Sequence, residues 1–132
     1  MNNNISTAIT HDVKISVETN FQHIHSNGMN VEHIFAYRIT IENQSDNTVQ
    51  LLRRHWIISD SNSEIRQVEG EGVVGVQPVL EPGEKHIYVS GCNLKSDIGK
   101  MSGTYLMERL FDGEQFKVNI PEFLLVAPFR LN

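Results

Sequence analysis

Alternation of apolar and polar residues is the dominant pattern along this chain. Val13, Ile15 and Val17 alternate with Lys14, Ser16 and Glu18, which places three β-branched side chains on one face of a strand. After mostly polar residues and a turn signal at Ser26-Asn27-Gly28, Phe35, Tyr37, Ile39 and Ile41 oppose Ala36, Arg38, Thr40 and Glu42. That second run predicts a strand with one face in the core. Asn43-Gln44-Ser45-Asp46-Asn47 is a run of turn formers, and a further strand follows from about Val49 to Ser59, ended by Asp60-Ser61-Asn62-Ser63. Alternation here puts Leu52, Arg54, Trp56 and Ile58 on one face and Leu51, Arg53, His55 and Ile57 on the other. Both faces are mixed, which fits either a central strand with a partly covered outer side or a bulge that re-aims the arginine pair.

The second half is read in the same way. A short strand near Glu64 to Val68 is expected to return as a hairpin partner, and a glycine-rich loop follows it. Ile87 and Val89 mark another short strand, and Ser90 to Ser102 reads as a long connection tucked down by Leu94, Ile98 and Met101. Tyr105 and Met107 precede Asp112-Gly113, whose flanking Phe116, Val118 and Ile120 predict a hairpin with a type I′ turn. Pro121 has no N–H for a central ladder, so the last strand, Phe123 to Val126, is expected at an edge or as a restart. Nowhere do apolar residues recur at helical spacing over three turns. The expected architecture is all-β, an antiparallel β-sandwich of seven to eight strands, with a small barrel as second choice.

Length and charge narrow the function classes. The 132 residues suit one domain, residues 1–132, with a flexible N-terminal tail over about residues 1–8 and order beginning near Ile9. Eleven basic against sixteen acidic residues give a formal charge of −5, and the basic residues are scattered apart from Arg53-Arg54, so nucleic acid is not an expected partner. One cysteine, Cys92, excludes an internal disulfide framework and suits a reducing compartment. The N-terminus lacks the basic and apolar regions of a secretory signal, and no apolar run reaches ~18 residues. The expectation is a cytoplasmic protein that does not insert into a membrane.

Candidate chemistry centres on residues 50–84. Gly70-x-Gly72-x-x-Gly75 matches a dinucleotide fingerprint, but that motif needs a helix after its last glycine. Pro78 and Pro82 follow closely, and Val73, Val74 and Val76 favour strand, which opposes one. The glycines therefore read as positions of positive φ or close strand approach, and what remains is an anion nest built from successive backbone N–H groups. Arg53 and Arg54, with His55, Gly70, Gly72, Gly75 and Gln77, form the candidate surface for a partner or an anion, because arginine offers paired donors to phosphate or carboxylate. A weaker metal option lies at His23 and His25, which share a strand face, with His33 reaching across a hairpin. Cys92 with His86 six residues earlier, and Glu69 with Glu71, complete no catalytic constellation. No cofactor is implied, and an enzyme is not expected.

An ordered series of motifs carries a family resemblance. Val49-Gln50-Leu51, Arg54-His55-Trp56-Ile57-Ile58-x-Asp60, Gly70-x-Gly72-Val73-Val74-Gly75-x-Gln77-Pro78-x-Leu80-x-Pro82-Gly83-Glu84, Ser90-Gly91 and Gly99-x-Met101-x-Gly103-x-Tyr105-x-Met107 resemble the bacterial ApaG family over nearly the whole chain. The resemblance implies an immunoglobulin-like, fibronectin type III-like sandwich. It also implies an association with cobalt resistance and magnesium efflux, no defined activity, and a protein-binding role of the kind found in similar eukaryotic domains. Val76 stands where many members have Glu, which weakens a cation role for the loop, and Asp97 stands where proline is common. The function expected is a non-enzymatic binding module acting through a protein partner. The alternative is binding, with or without hydrolysis, of a nucleotide or pyrophosphate-containing metabolite at the glycine-rich loop. A homodimer is a further expectation, because a sandwich has strand edges to cover.

Overall fold

Nine strands in two antiparallel sheets face one another in the computed structural model, which describes residues 5–62 and 64–131. The strands are β1 (Ile5–Thr10), β2 (Val13–Asn27), β3 (Asn30–Asn43), β4 (Val49–Asp60), β5 (Ile65–Glu71), β6 (Val79–Leu80), β7 (Lys85–Leu94), β8 (Ile98–Arg109) and β9 (Glu114–Val126). The first sheet has the order β1-β2-β3-β7; the second has β5-β4-β8-β9, with β6 added to the start of β4. The all-β sandwich expected from alternation is thus the fold, and a 3-10 turn at Pro128–Leu131 is its only helical element among the described residues. No helix of the described residues is long and apolar enough to cross a membrane.

The core forms where the inward stripes of both sheets meet. Val13, Ile15, Val17, Ile39 and Ile41 from the first sheet pack with Leu51, Met101, Tyr105, Met107 and Leu125 from the second, all essentially without exposure. Tyr37, Trp56 and Phe123 make a three-ring cluster across the interface, with Trp56 edge-on to Phe123 at 5.9 Å. Tyr88 and Tyr105 meet from opposite sheets, their hydroxyls 2.5 Å apart in the interior. Burial pushes both phenols above their ordinary values, so the pair stays neutral and its shared proton satisfies two groups that water cannot reach.

Several boundaries differ from the pattern-based reading, each for a tertiary reason. The tail expected over residues 1–8 is too long, because Ile5–Thr10 pairs with Val13–Glu18 as β1 and closes on a two-residue turn at His11-Asp12. Both turn residues have positive φ, 50° and 61°, the requirement of a type I′ turn. The long connection expected at Ser90 to Ser102 is mostly strand. β7 runs on to Leu94 with Tyr88, Cys92 and Leu94 inward, and β8 starts at Ile98 with Gly99, Met101, Gly103 and Tyr105 on one face. Two glycines concealed that alternation. A Cβ at Gly103 would stand 2.1 Å from the His55 carbonyl oxygen and one at Gly99 2.6 Å from that of Ser59, so both are places where strands approach too closely for a side chain.

At Asp112-Gly113 only the glycine has positive φ, 73°, and its N–H reaches back to the Arg109 carbonyl at 2.8 Å. The connection is therefore a four-residue loop rather than type I′. β9 does not restart after Pro121 but runs through it. Proline sits in a bulge, where two residues of β9 oppose one of β8, on the edge strand that its missing N–H requires.

Asn43 is the fully buried polar side chain of the interior. Its amide donates to the carbonyls of Asn47 and Leu80 at 2.8 and 2.9 Å, and its oxygen accepts from the Ser45 N–H and hydroxyl. One side chain thereby ties the β3–β4 turn to β6. Replacing Asn43 by Ala removes the side-chain donor to the Leu80 carbonyl and the acceptor of the Ser45 N–H, while the Ser45 hydroxyl and the Asn47 carbonyl keep each other at 3.1 Å. The change is expected to cost about 2–4 kcal/mol. Urea unfolding that shows a loss below 1 kcal/mol would contradict this account.

Asp60 gives a pH-dependent counterpart. Burial alone would raise its carboxyl, but hydrogen bonds from the Ser96 hydroxyl and from the backbone of Lys95, Ser61 and Asn62 outweigh it and hold the group below its usual value. A depressed folded value contributes stability above the unfolded value and loses it as pH falls through the folded one. Between about pH 7 and pH 3, the urea midpoint of wild type should therefore fall more steeply than that of Asp60→Asn, with the difference developing below about pH 4. Parallel profiles would remove Asp60 from the balance.

Candidate functional site

The arginine pair and the glycine-rich loop do lie side by side, joined through a β-bulge. Pairing of β4 with β8 slips between Leu51 and Arg53, leaving Leu52 as the extra residue. Alternation therefore reverses at that point. Val49 and Leu51 point inward, and so do Trp56 and Ile58 two turns of the pleat later. The Leu52 carbonyl, free of the ladder, accepts the Gly72 N–H at 2.8 Å and the Gln77 side-chain amide at 3.0 Å. Gln77 is thus a fastening of the loop to β4.

The loop is a miniature hairpin. Val73 and Val76 exchange both backbone hydrogen bonds, at 2.8 and 3.1 Å, around Val74 and Gly75 with φ of 46° and 80°. Those values describe a type I′ turn. No helix follows Gly75, so the dinucleotide reading fails at the element it needs. Of the N–H groups an anion nest would use, those of Gly72, Val73 and Val76 are already held by carbonyls, which leaves the turn tip at Val74 and Gly75. Gly72 has the tightest constraint, since a Cβ there would lie 2.2 Å from the Val76 carbonyl oxygen. Val74 is the unexpected residue, a β-branched side chain in left-handed backbone and 62% exposed.

Arg53 and Arg54 do not form one fork. Arg54 turns toward the sandwich, lies over Gly70, and donates to the carbonyls of Glu71 and Gly72 at 2.9 and 3.1 Å. Its guanidinium ends within 2.9 Å of where a Gly70 Cβ would stand, which is why glycine suits that position. Arg53 points the other way, onto the outer face of the second sheet. There the register aligns Glu71, Arg53, Leu106 and Lys117 in one row and Glu69, His55, Thr104 and Asn119 in the next. A shallow hollow of about 130 Å³ lies among Arg53, His55, Glu69, Thr104 and Lys117. Neither Arg53 nor Lys117 has an ion-pair partner among the described residues. His55 holds Gln67 at 2.8 Å through a ring nitrogen.

The remaining sequence candidates separate. His33 pairs with Ile24, the residue between His23 and His25, so it shares the face of Ile24 and not that of the two histidines. The bulge beyond Phe21 sets this register, and the three residues cannot converge on one ion; no group of three metal-ligating side chains occurs among the described residues. Cys92 and His86 lie six residues apart on one extended strand, ~20 Å. Burial pushes the Cys92 thiol up, with Arg66 3.6 Å away opposing only part of the effect, so the sulfur is neutral and poorly nucleophilic. Glu69 and Glu71 share a face, as expected if the strand extended to them, and both are exposed. Lys117 and Thr104 were not legible as members of this surface. Only the β4–β8–β9 register brings them beside Arg53 and His55.

Comparison with known proteins agrees with this architecture. The ApaG domain family model matches residues 23–109. Protein ApaG of Dechloromonas aromatica is 50% identical over 103 residues, covering 78% of this chain and 80% of that protein. Protein ApaG of Methylocella silvestris is 45% identical over 125 residues, with 93% and 94% covered. Among solved structures, the putative ApaA protein of Bordetella pertussis superposes with a TM-score of 0.79 at 39% identity, covering 89% of this chain and 94% of that one. An X-ray structure of a structural-genomics target gives 0.86 at 36% identity, with 92% and 91% covered.

The two arginines are expected to behave differently on truncation. Arg54→Ala removes the donor that holds two loop carbonyls and should cost about 1–3 kcal/mol, whereas Arg53→Ala should stay within about 0.5 kcal/mol. Urea denaturation of both variants checks this; equal effects would mean that the guanidiniums are not divided between loop and surface.

Proposed function

We propose, from the premise that the chain belongs to the ApaG family, that it is a non-enzymatic recognition module working through a protein partner, and that the outer face of β4, β8 and β9 is where it binds. The observation that supports this reading is the pair of unpartnered cations, Arg53 and Lys117, facing one hollow beside the attachment point of the Val73–Val76 turn. Arginine is one of the residue types that anchor protein interfaces. Strands hold them in place without the entropy loss of ordering a loop. Because the unpaired groups are basic, the complementary partner surface is acidic. Through such a partner the protein would act on divalent-cation balance in the cytoplasm, in keeping with the cobalt and magnesium associations that the family resemblance implies.

A second reading uses the same hollow for a phosphate-containing metabolite, favoured by the same two cations with Thr104 lining the hollow in the adjacent row. Within the glycine loop this reading would use the turn tip at Val74 and Gly75, because the N–H groups of Gly72, Val73 and Val76 are occupied.

Cross-linking mass spectrometry in the native host, comparing wild type with an Arg53→Ala, Lys117→Ala double variant, tests the first reading. The partner captured by wild type should fall at least tenfold, equivalent to about 1.4 kcal/mol, while the variant keeps wild-type thermal stability. Unchanged capture would overturn the assignment of this face. Calorimetric titration with ATP and dinucleoside polyphosphates, with and without magnesium, separates the second reading: heat that the double variant abolishes supports it, and silence at millimolar ligand removes it.

A further inference from the structure

The two sheets leave four strand edges, and three carry a device against pairing with another chain. β9 has Pro121 and a bulge beside it, both of which interrupt a ladder. β5 is seven residues long with Arg66, Glu69 and Glu71 along it. β1 leans against β9, where the Thr10 hydroxyl accepts the Asn119 N–H at 3.1 Å. β7 is different. Its ten residues pair with β3 in one unbroken register, without proline or bulge, and β3 is its only strand neighbour among the described residues. One end is plugged, since Arg66 reaches over from β5 to the Asn93 carbonyl at 2.5 Å. The open stretch is therefore Lys85 to Gly91, seven residues centred on Tyr88.

Side chains along that stretch suit a second copy of themselves. Ile87 and Val89 stand on the outer face, 46% and 58% exposed. An antiparallel pairing with its twofold axis at Tyr88 sets Ile87 opposite Val89 of the other copy, twice, so that four β-branched side chains cover one another. Such cross-strand pairs stabilise a ladder. The one charged residue, Lys85, then faces Gly91 of the other copy rather than another lysine, so no like charges oppose. A twofold contact must satisfy its own surface in this manner, whereas a foreign strand would have no reason to match both the length and the centre of the gap.

We infer that β7 is a self-association edge, through which two copies join their first sheets into one continuous eight-stranded sheet. The contact uses one strand from each copy and falls in the class of small, reversible interfaces, with dissociation expected in the micromolar range. It lies on the sheet opposite to Arg53 and Lys117, so the partner surface stays open in the dimer and the two assignments stand or fall separately.

Sedimentation velocity from about 5 to 500 µM, a span that brackets micromolar dissociation, tests the inference on the full chain. Wild type should shift from monomer toward dimer with concentration. Val89→Lys should remain monomeric over the same range, because an outward lysine on an edge strand opposes pairing; Val89 is more than half exposed, so its replacement leaves the core intact. Hydrogen exchange provides the second measurement: amides between Lys85 and Gly91 should gain protection with concentration, and those of β9 should not. A wild type that stays monomeric throughout overturns the inference. So does a dimer that Val89→Lys leaves unchanged, or one whose β7 amides exchange as fast as in the monomer.

Discussion

A single carbonyl group, that of Leu52, organises the surface half of this molecule. Strand alternation across β4 cannot bury Leu51 and Trp56 together, since five positions apart they belong to opposite faces. One extra residue resolves the conflict, and the bulge leaves the Leu52 carbonyl outside the ladder. An orphaned carbonyl needs donors, and the Gly72 N–H and the Gln77 amide supply them. The same slip turns Arg54 inward over Gly70 and leaves Arg53 outward. The bulge, the glycine-rich turn and the division of labour between two adjacent arginines are therefore one arrangement.

Glycine has two separate uses in this sandwich. At Gly103 and Gly99, and at Gly72 within the turn, it lets backbone approach backbone, with no room for a methyl group beside a carbonyl oxygen. At Gly75 it supplies the second left-handed position of a type I′ turn, a conformation that glycine adopts at little cost. Val74, in the first left-handed position, carries a cost of roughly 1–2 kcal/mol that Asn or Gly would avoid, and its side chain gains little packing in return, being largely in solvent. Strain of this kind concentrates where a surface recognises something, and the Val74 turn adjoins the strand that carries Arg53.

Much of the architecture could be read in one dimension. Val13 to Val17 and Phe35 to Ile41 alternate clearly, and each became a strand with the expected face inward; Val49 to Ser59 also became a strand, but its mixed faces resolve only through the bulge at Leu52. Pro121 marked an edge because a missing N–H is a local property. Polar segments such as Thr19 to Ser26, and the Ser90 to Ser102 stretch, hid strands because their pairing partners lie elsewhere in the chain. Gly99 and Gly103 broke the apolar pattern for a reason that exists only once β4 lies against β8.

Local chemistry fixed the all-β class, the missing helix after Gly75, and the motif series that marks the family. Register decided the rest, because it is a relation between strands and not a property of any one of them. It separated His33 from His23 and His25, turned the Arg54 face inward past the bulge, and set Lys117 and Thr104 beside His55. Alternation can say that a residue faces outward. Which neighbours it meets there depends on how distant strands align, and each bulge shifts that alignment by one residue.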